Sequence, residues 1–185
     1  MLGFAMCGSY CTHKKALEQL KLLTELNDVQ PIMSENVYST DTYFGTSEAL
    51  IKNVEALCQR KTIHTIVDAE PLGPKSPLEA LVICPCTGNT LAKIALGITD
   101  TAVTMAAKAH LRSNRPLVIA LASNDALSAN LKNIGALLTR KFVYFVPMKQ
   151  DDPEKKPHSL VADFSLLLPT LEYACKGKQY QKIFI

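Results

Sequence analysis

The run Leu117-Val118-Ile119-Ala120-Leu121-Ala122 constrains this chain more than any other stretch. Side chains on a strand alternate between faces, so a run with no polar residue at either parity is buried on both. Such strands sit in the middle of parallel sheets, whose neighbours must be joined by crossovers, usually helices. The rest of the sequence supplies those parts. Shorter apolar runs at residues 2–7, 29–33, 80–84 and 142–146 alternate with stretches of helical spacing, such as Ala16, Leu17, Leu20, Leu23 and Leu26. This alternation predicts an α/β fold, a doubly wound parallel sheet of Rossmann-like or flavodoxin-like type with three layers. With 185 residues, a single domain over 1–185 is expected.

Further helices are predicted over residues 47–58, 91–96, 102–112, 127–138 and 159–175, the second stopping at Gly97 and the third capped by Thr99-Asp100-Thr101. Residues 62–69 read equally as a short helix or an edge strand. The stretch 70–77 holds Pro71, Pro74 and Pro77 and is irregular, because proline supplies no backbone N–H. Residues 149–158 form a loop.

Several function classes are excluded by composition. The 20 Lys and Arg against 17 Asp and Glu, net +3, are spread along the chain with no basic block, which argues against nucleic-acid binding. No apolar run approaches the ~20 residues a membrane span needs, and Met1-Leu2-Gly3-Phe4 lacks the basic start of a signal peptide, so a cytoplasmic protein is expected. None of the six cysteines forms a C-x-x-C pair. Cys84 and Cys86, alternating on a strand, are expected to face one side, and without neighbouring histidines they make no metal site.

Right-handed crossovers put every strand's carboxyl end on one rim, where Gly8 and Ser9, Ser34, Thr87 and Asn89, and Ser123 and Asn124 converge. Gly8-Ser9 followed by Thr12 at a helix start offers backbone N–H groups and hydroxyls to a phosphate. It is not G-x-G-x-x-G, so a mononucleotide suits it better than a dinucleotide; an ordinary βα turn would read the same way. The turn Pro85-Cys86-Thr87-Gly88-Asn89-Thr90 adds a second polar wall. Helix capping accounts for one of its polar residues and leaves the others free for a ligand.

That turn, continued by Lys93, Gly97 and Asp100, resembles the flavoprotein superfamily of FMN-binding cysteine decarboxylases and flavin prenyltransferases, which carry Pro-x-x-x-Asn-Thr and then Lys-x-x-x-Gly-x-x-Asp. Ala69-Glu70-Pro71-Leu72-Gly73-Pro74-Lys75, Met105-Ala106-Ala107-Lys108-Ala109, Ser123-Asn124-Asp125-Ala126-Leu127 and Gln150-Asp151-Asp152-Pro153 are more closely similar to the B subunits of dipicolinate synthases from spore-forming bacteria. The resemblance implies FMN as cofactor, with Gly8, Ser9 and Ser34 approaching its phosphate and ribityl chain. Thr87, Asn89 and Thr90 would meet the ribityl or isoalloxazine part, and Ser123 and Asn124 would close the site. It also implies an oxidoreductase that works with an NAD(P)-binding A subunit on a small dicarboxylate, dihydrodipicolinate or its hydroxylated precursor. The setting it implies is a homo-oligomer, often a trimer, in the mother-cell cytoplasm during sporulation.

One departure bears on the chemistry. The position that holds the catalytic histidine of the decarboxylases is Pro71 here, and His64 lies seven residues earlier. Decarboxylation is therefore not the first reading. The loop in that place offers Glu70 to move a proton and Lys75 to pair with a substrate carboxylate, a solvated connection being the plainer view. The charged turn at residues 151–157 reads as a lid, a partner contact or a surface loop. A flavin-binding module whose chemistry belongs wholly to the partner remains the alternative function.

Overall fold

The computed structural model describes residues 1–73, 75 and 78–185. Its strands are β1 (Leu2–Met6), β2 (Val29–Met33), β3 (Leu81–Cys86), β4 (Leu117–Ser123), β5 (Val143–Phe145), β6 (Met148–Lys149) and β7 (Leu160–Ala162). The helices are α1 (His13–Leu26), α2 (Glu35–Ser39), α3 (Ser47–Cys58), α4 (Ile66–Ala69), α5 (Gly88–Leu96), α6 (Ala102–Leu111), α7 (Leu131–Leu138) and α8 (Leu167–Cys175).

Parallel pairing places the first five strands in the order β2, β1, β3, β4, β5. The carboxyl end of β4 continues into an antiparallel pair with β7, which in turn pairs with β6. Two apolar layers sandwich the sheet. On one face Ile83, Ile119 and Phe145 meet Leu91 and Ile94 of α5, Val103 and Ala107 of α6, and Ile134 and Leu137 of α7. On the other, Phe4, Val82 and Val118 meet Leu20 and Leu23 of α1, Val54 of α3, and Leu167 and Leu171 of α8. Leu117 through Leu121 are wholly buried, as the opening run requires of a strand covered on both faces. This is the doubly wound three-layer architecture expected from the alternation of elements.

Local chemistry sets the ends of the helices around the rim. Thr87 accepts a hydrogen bond from the Thr90 N–H and starts α5, and Gly97, at φ 74°, ends it in the left-handed region open to glycine. Thr101 and Thr104 cap each other's backbone at the start of α6.

Four expectations are corrected or resolved. Residues 62–69 are both things at once: Ile63 bridges Ile32 as an edge strand would, and α4 follows. The helix expected over 127–138 begins at Leu131, because residues 125–130 fold into turns closed by Ser128 and Asn130 N–H groups on the Asp125 carbonyl. In the final segment Leu160–Ala162 pairs with β4 and β6, and only after Asp163, which caps the Ser165 N–H, does the chain turn helical. Cys84 and Cys86 do not face one side. The ladder shifts register between Ile83 and Cys86, so Cys84 joins the α1 face and Cys86 the α5 face. Of the irregular stretch at 70–77, Glu70 to Leu72 make one 3-10 turn, and Pro74, Ser76 and Pro77 lie outside the described residues. No helix among the described residues is long and apolar enough to cross a membrane.

Candidate cofactor site

The strand order reverses between β1 and β3, and in open parallel sheets the crevice outside the strand ends at that point is where ligands bind. A cavity of about 430 Å³ opens there, with Gly8 and Tyr10 after β1, Ser34, Glu35 and Asn36 after β2, and Thr87, Asn89 and Thr90 after β3 on its walls. Cys7 forms part of its floor, and Lys93, Asp100 and Thr101 form its outer edge.

Each wall is fixed by a different device. Ser9 sits in the left-handed region (φ 62°, ψ 47°), which for a residue with a Cβ carries about 1–2 kcal/mol of strain. Its hydroxyl donates to the Ala122 carbonyl at 2.8 Å, tying the β1 turn to the end of β4. The same turn is braced from below by His13, whose Nε2 lies 2.9 Å from the Cys7 carbonyl and 3.3 Å from that of Gly8. Burial lowers the His13 pKa, so the ring is neutral and the nitrogen facing two carbonyls is the donor. Gly8 lies close to Thr87: a Cβ on Gly8 would come 3.3 Å from the Thr87 methyl, which draws the β1 and β3 walls together. Along the edge, Lys93 and Asp100 are paired at 2.8 Å, and the ammonium holds the Asp100 carboxyl below the usual carboxylate range.

Ser34 brings to this cavity a side chain that the helix after it does not use. The residue is 9% exposed and occupies the position before α2, where a serine ordinarily caps the helix, yet its side chain makes no cap bond. Its hydroxyl makes no hydrogen bond to the described residues and is open to the cavity, unlike the sealed and unpartnered side-chain atoms of Thr62, His110 and Ser159. The N–H groups of Gly8 and Ser9 are likewise without a protein acceptor among the described residues. The Gly8 N–H and the Ser34 hydroxyl, on walls that also carry the Glu35 carboxylate, offer donors that suit a polyhydroxylated ligand such as a mononucleotide. Cys7 contributes a neutral thiol: burial pushes its pKa up to about 11, against the weaker pull of the Thr90 side chain and Thr87 backbone.

The remaining sequence-predicted residues sit elsewhere. The Ser123 hydroxyl donates to the Asp125 carboxylate, and Asn124 is exposed beside it. Glu70 and Lys75 are both exposed. Gly73, between them, packs against the Ala109 carbonyl in the last turn of α6, eight residues beyond the Thr101 that edges the cavity. At 1.5 Å per residue that is about 12 Å toward the opposite end of the sheet. His64 stacks on Tyr38, ring centroids 3.6 Å apart. Tyr10, Asn36, Lys93 and Asp100 are walls that no residue-level reading of the sequence assigned to the site; Lys93 and Asp100 carried a signal only as part of the family motif.

The model for the family described as Flavoprotein matches residues 2–162. The chain is 44% identical over its full length to the B subunit of dipicolinate synthase from Bacillus subtilis (strain 168), covering 92% of that protein. This chain belongs to the flavoprotein family, in the branch of the dipicolinate synthase B subunits. The crystal structure of the dipicolinate synthase B subunit from Bacillus halodurans C superimposes with a TM-score of 0.91 at 43% identity, covering 100% of this chain and 95% of that one. An FMN-dependent cysteine decarboxylase, SpaF, shares the fold with a TM-score of 0.66 at 23% identity, over 94% of this chain and 95% of its own. The chain is also 32% identical over 112 residues to the flavin prenyltransferase UbiX of Thermoplasma acidophilum, 54% of this chain and 62% of that protein.

Proposed function

We propose that this chain holds FMN in the crevice between β1 and β3 and serves as the B subunit of a dipicolinate synthase, acting with an A subunit that carries NAD(P). The observation that carries the cofactor half is the switch-point cavity itself, where Gly8, Thr87, Asn89 and Thr90 share the walls with a Ser34 side chain that makes no cap bond. The full-length identity to the B subunit of a dipicolinate synthase supports the other half.

In this reading Gly8, Ser9 and Ser34 bind the phosphate and adjoining ribityl chain through neutral donors, while Thr87, Asn89 and Thr90 orient the remainder of the cofactor. Bound FMN supplies an acceptor for the hydride that leaves when a dihydropyridine dicarboxylate becomes aromatic, a proton leaving with it. The neutral Cys7 thiol keeps the cavity floor unreactive. Within one chain Glu70 and Lys75 are remote from the cavity, so a substrate role for them requires the site of an adjacent copy in a homo-oligomer. Turnover of Lys75→Met at subsaturating substrate decides this: an unchanged rate removes Lys75 from the site. The proposed setting is the cytoplasm of the mother cell in a spore-forming bacterium.

Anaerobic mixing of the FMN-loaded protein with the A subunit and dihydrodipicolinate tests the redox role. Bleaching of the visible flavin band is expected. An unbleached band with dipicolinate still formed favours the flavin as a structural element and leaves the chemistry with the A subunit.

A further inference from the structure

A polar network with a half-buried Asp125 at its centre and buried Ser123, Asn130 and Asn133 around it stands behind the cavity wall, outside the residues that line it. The Asp125 carboxylate accepts hydrogen bonds from the Ser123 hydroxyl and, at 2.8 Å, from Asn130 Nδ2. Asn130 Oδ1 is in turn occupied by Asn133 Nδ2 at 2.8 Å. Asn130 and Asn133 are 5% and 7% exposed. Among the described residues no Lys, Arg or His pairs with Asp125, so the carboxylate is held wholly by neutral donors.

The network converges on one backbone position. A Cβ placed on Gly88 would collide with Ser123 Oγ and would lie 2.6 Å from Asn130 Nδ2 and 2.7 Å from the Asp125 carboxylate. Gly88 opens α5 between Thr87 and Asn89, both on the cavity wall. Three side chains from the β4 exit and α7 therefore press on the Cα of the residue that aims the wall. They fit there because position 88 has no side chain. Here glycine serves close approach, since its φ lies outside the left-handed region.

We infer that Asp125 is a positioning residue for the cofactor: through Ser123 and Asn130 it locks the first turn of α5 so that Thr87, Asn89 and Thr90 present their polar groups to FMN. This rests on the FMN reading above and deepens it. Asp125 touches no cofactor atom in this role. It sets where the touching groups stand, through three linked hydrogen bonds that run from Ser123 through Asp125 and Asn130 to Asn133. Fully satisfied buried networks specify a unique geometry, whereas one mismatched member disturbs the rest.

The network also supplies the test. In Asn130→Asp a second carboxylate is turned against that of Asp125 and the donor to it is lost, a mismatch no rotamer repairs because neither group has a hydrogen to give, while Asn133 keeps its acceptor. In the double variant Asp125→Asn with Asn130→Asp, the amide donates to the relocated carboxylate and every bond is restored. The expected result is FMN affinity weakened at least tenfold in the single variant, with a shifted visible band of the bound flavin, and recovery to within about threefold of wild type in the double variant. Thr46→Ala, which removes the cap of α3 away from this network, serves as the control for destabilisation: it lowers the melting temperature while the flavin band stays in place. Wild-type affinity and spectrum in Asn130→Asp, or no recovery in the double variant, would overturn the inference. A wild-type protein that takes up no FMN overturns the cofactor reading along with it, so the two failures are told apart by the wild-type titration.

Discussion

Replacing Ser34 with alanine separates a binding role from a folding role, because the structure assigns this side chain no internal work. Serine before a helix normally contributes about 1 kcal/mol by capping, yet Ser34 makes no cap bond. Its removal should therefore change stability by less than about 0.5 kcal/mol. For a domain of this size, each kcal/mol moves the melting temperature by roughly 2–4 °C, so the expected shift is under about 2 °C. The binding side is larger. A hydrogen bond to a charged phosphate contributes about 1.5–3 kcal/mol, and 1.4 kcal/mol is a factor of ten, so FMN affinity should fall roughly 12- to 140-fold. Thr46→Ala is the matched control. Thr46 does cap its helix, accepting from the Ala49 N–H at 3.3 Å, and it is absent from the cavity wall, so this variant should lose about 1 kcal/mol of stability and keep its affinity. Differential scanning fluorimetry of the apo proteins and calorimetric titration with FMN give both quantities. A Ser34→Ala protein with lowered stability and unchanged affinity would refute the argument.

Other outcomes follow from the core and the titrating groups. Burial lowers the pKa of both His13 and His110, so the unfolded chain binds more protons than the folded one below the ordinary histidine value. Their contribution is complete above about pH 6.5 and is lost as pH falls through the depressed folded values; denaturant titrations should show stability decreasing from pH 7 to pH 5, and an increase would contradict it. Gly3→Ala puts a Cβ 2.5 Å from a Leu78 methyl and 2.7 Å from one of Leu81, overpacking the sheet core; a loss of about 1–3 kcal/mol is expected by chemical denaturation, and an unchanged midpoint would count against the packing described. Cys11 and Cys175 are exposed whereas Cys7, Cys58, Cys84 and Cys86 are buried, so brief alkylation of the native protein at pH 7.5 should label the first two alone, as read by peptide mass spectrometry.

What the sequence disclosed, and what it withheld, divides along a physical line. Leu117 to Ala122 announced a strand covered on both faces because burial at both parities leaves no other solution, and the polar residues closing the strands, Gly8, Ser34, Thr87 and Asn89, meet at one cavity because parallel strands share a rim. The misplacement of Cys84 and Cys86 arose from assuming unbroken alternation through Pro85, where the ladder changes register. Leu160 to Ala162 carry helix-compatible apolar spacing, and only the open edge of β4 beside them makes them a strand. Asp125 gave no local signal: its partner Asn130 lies five residues on, within reach only after the intervening turn has formed. Glu70 and Lys75 stand out from their place in the motif order, and both are exposed, so their role rests on the turnover measurement of Lys75→Met.

Titration of the apo protein with FMN, followed by quenching of flavin fluorescence, tests the central claim most directly. Saturation at one FMN per chain is predicted, with the tight phase weakened by Ser34→Ala and by Asn89→Ala while both variants remain folded. Failure of the folded wild-type protein to bind FMN, or binding that neither substitution alters, would contradict it.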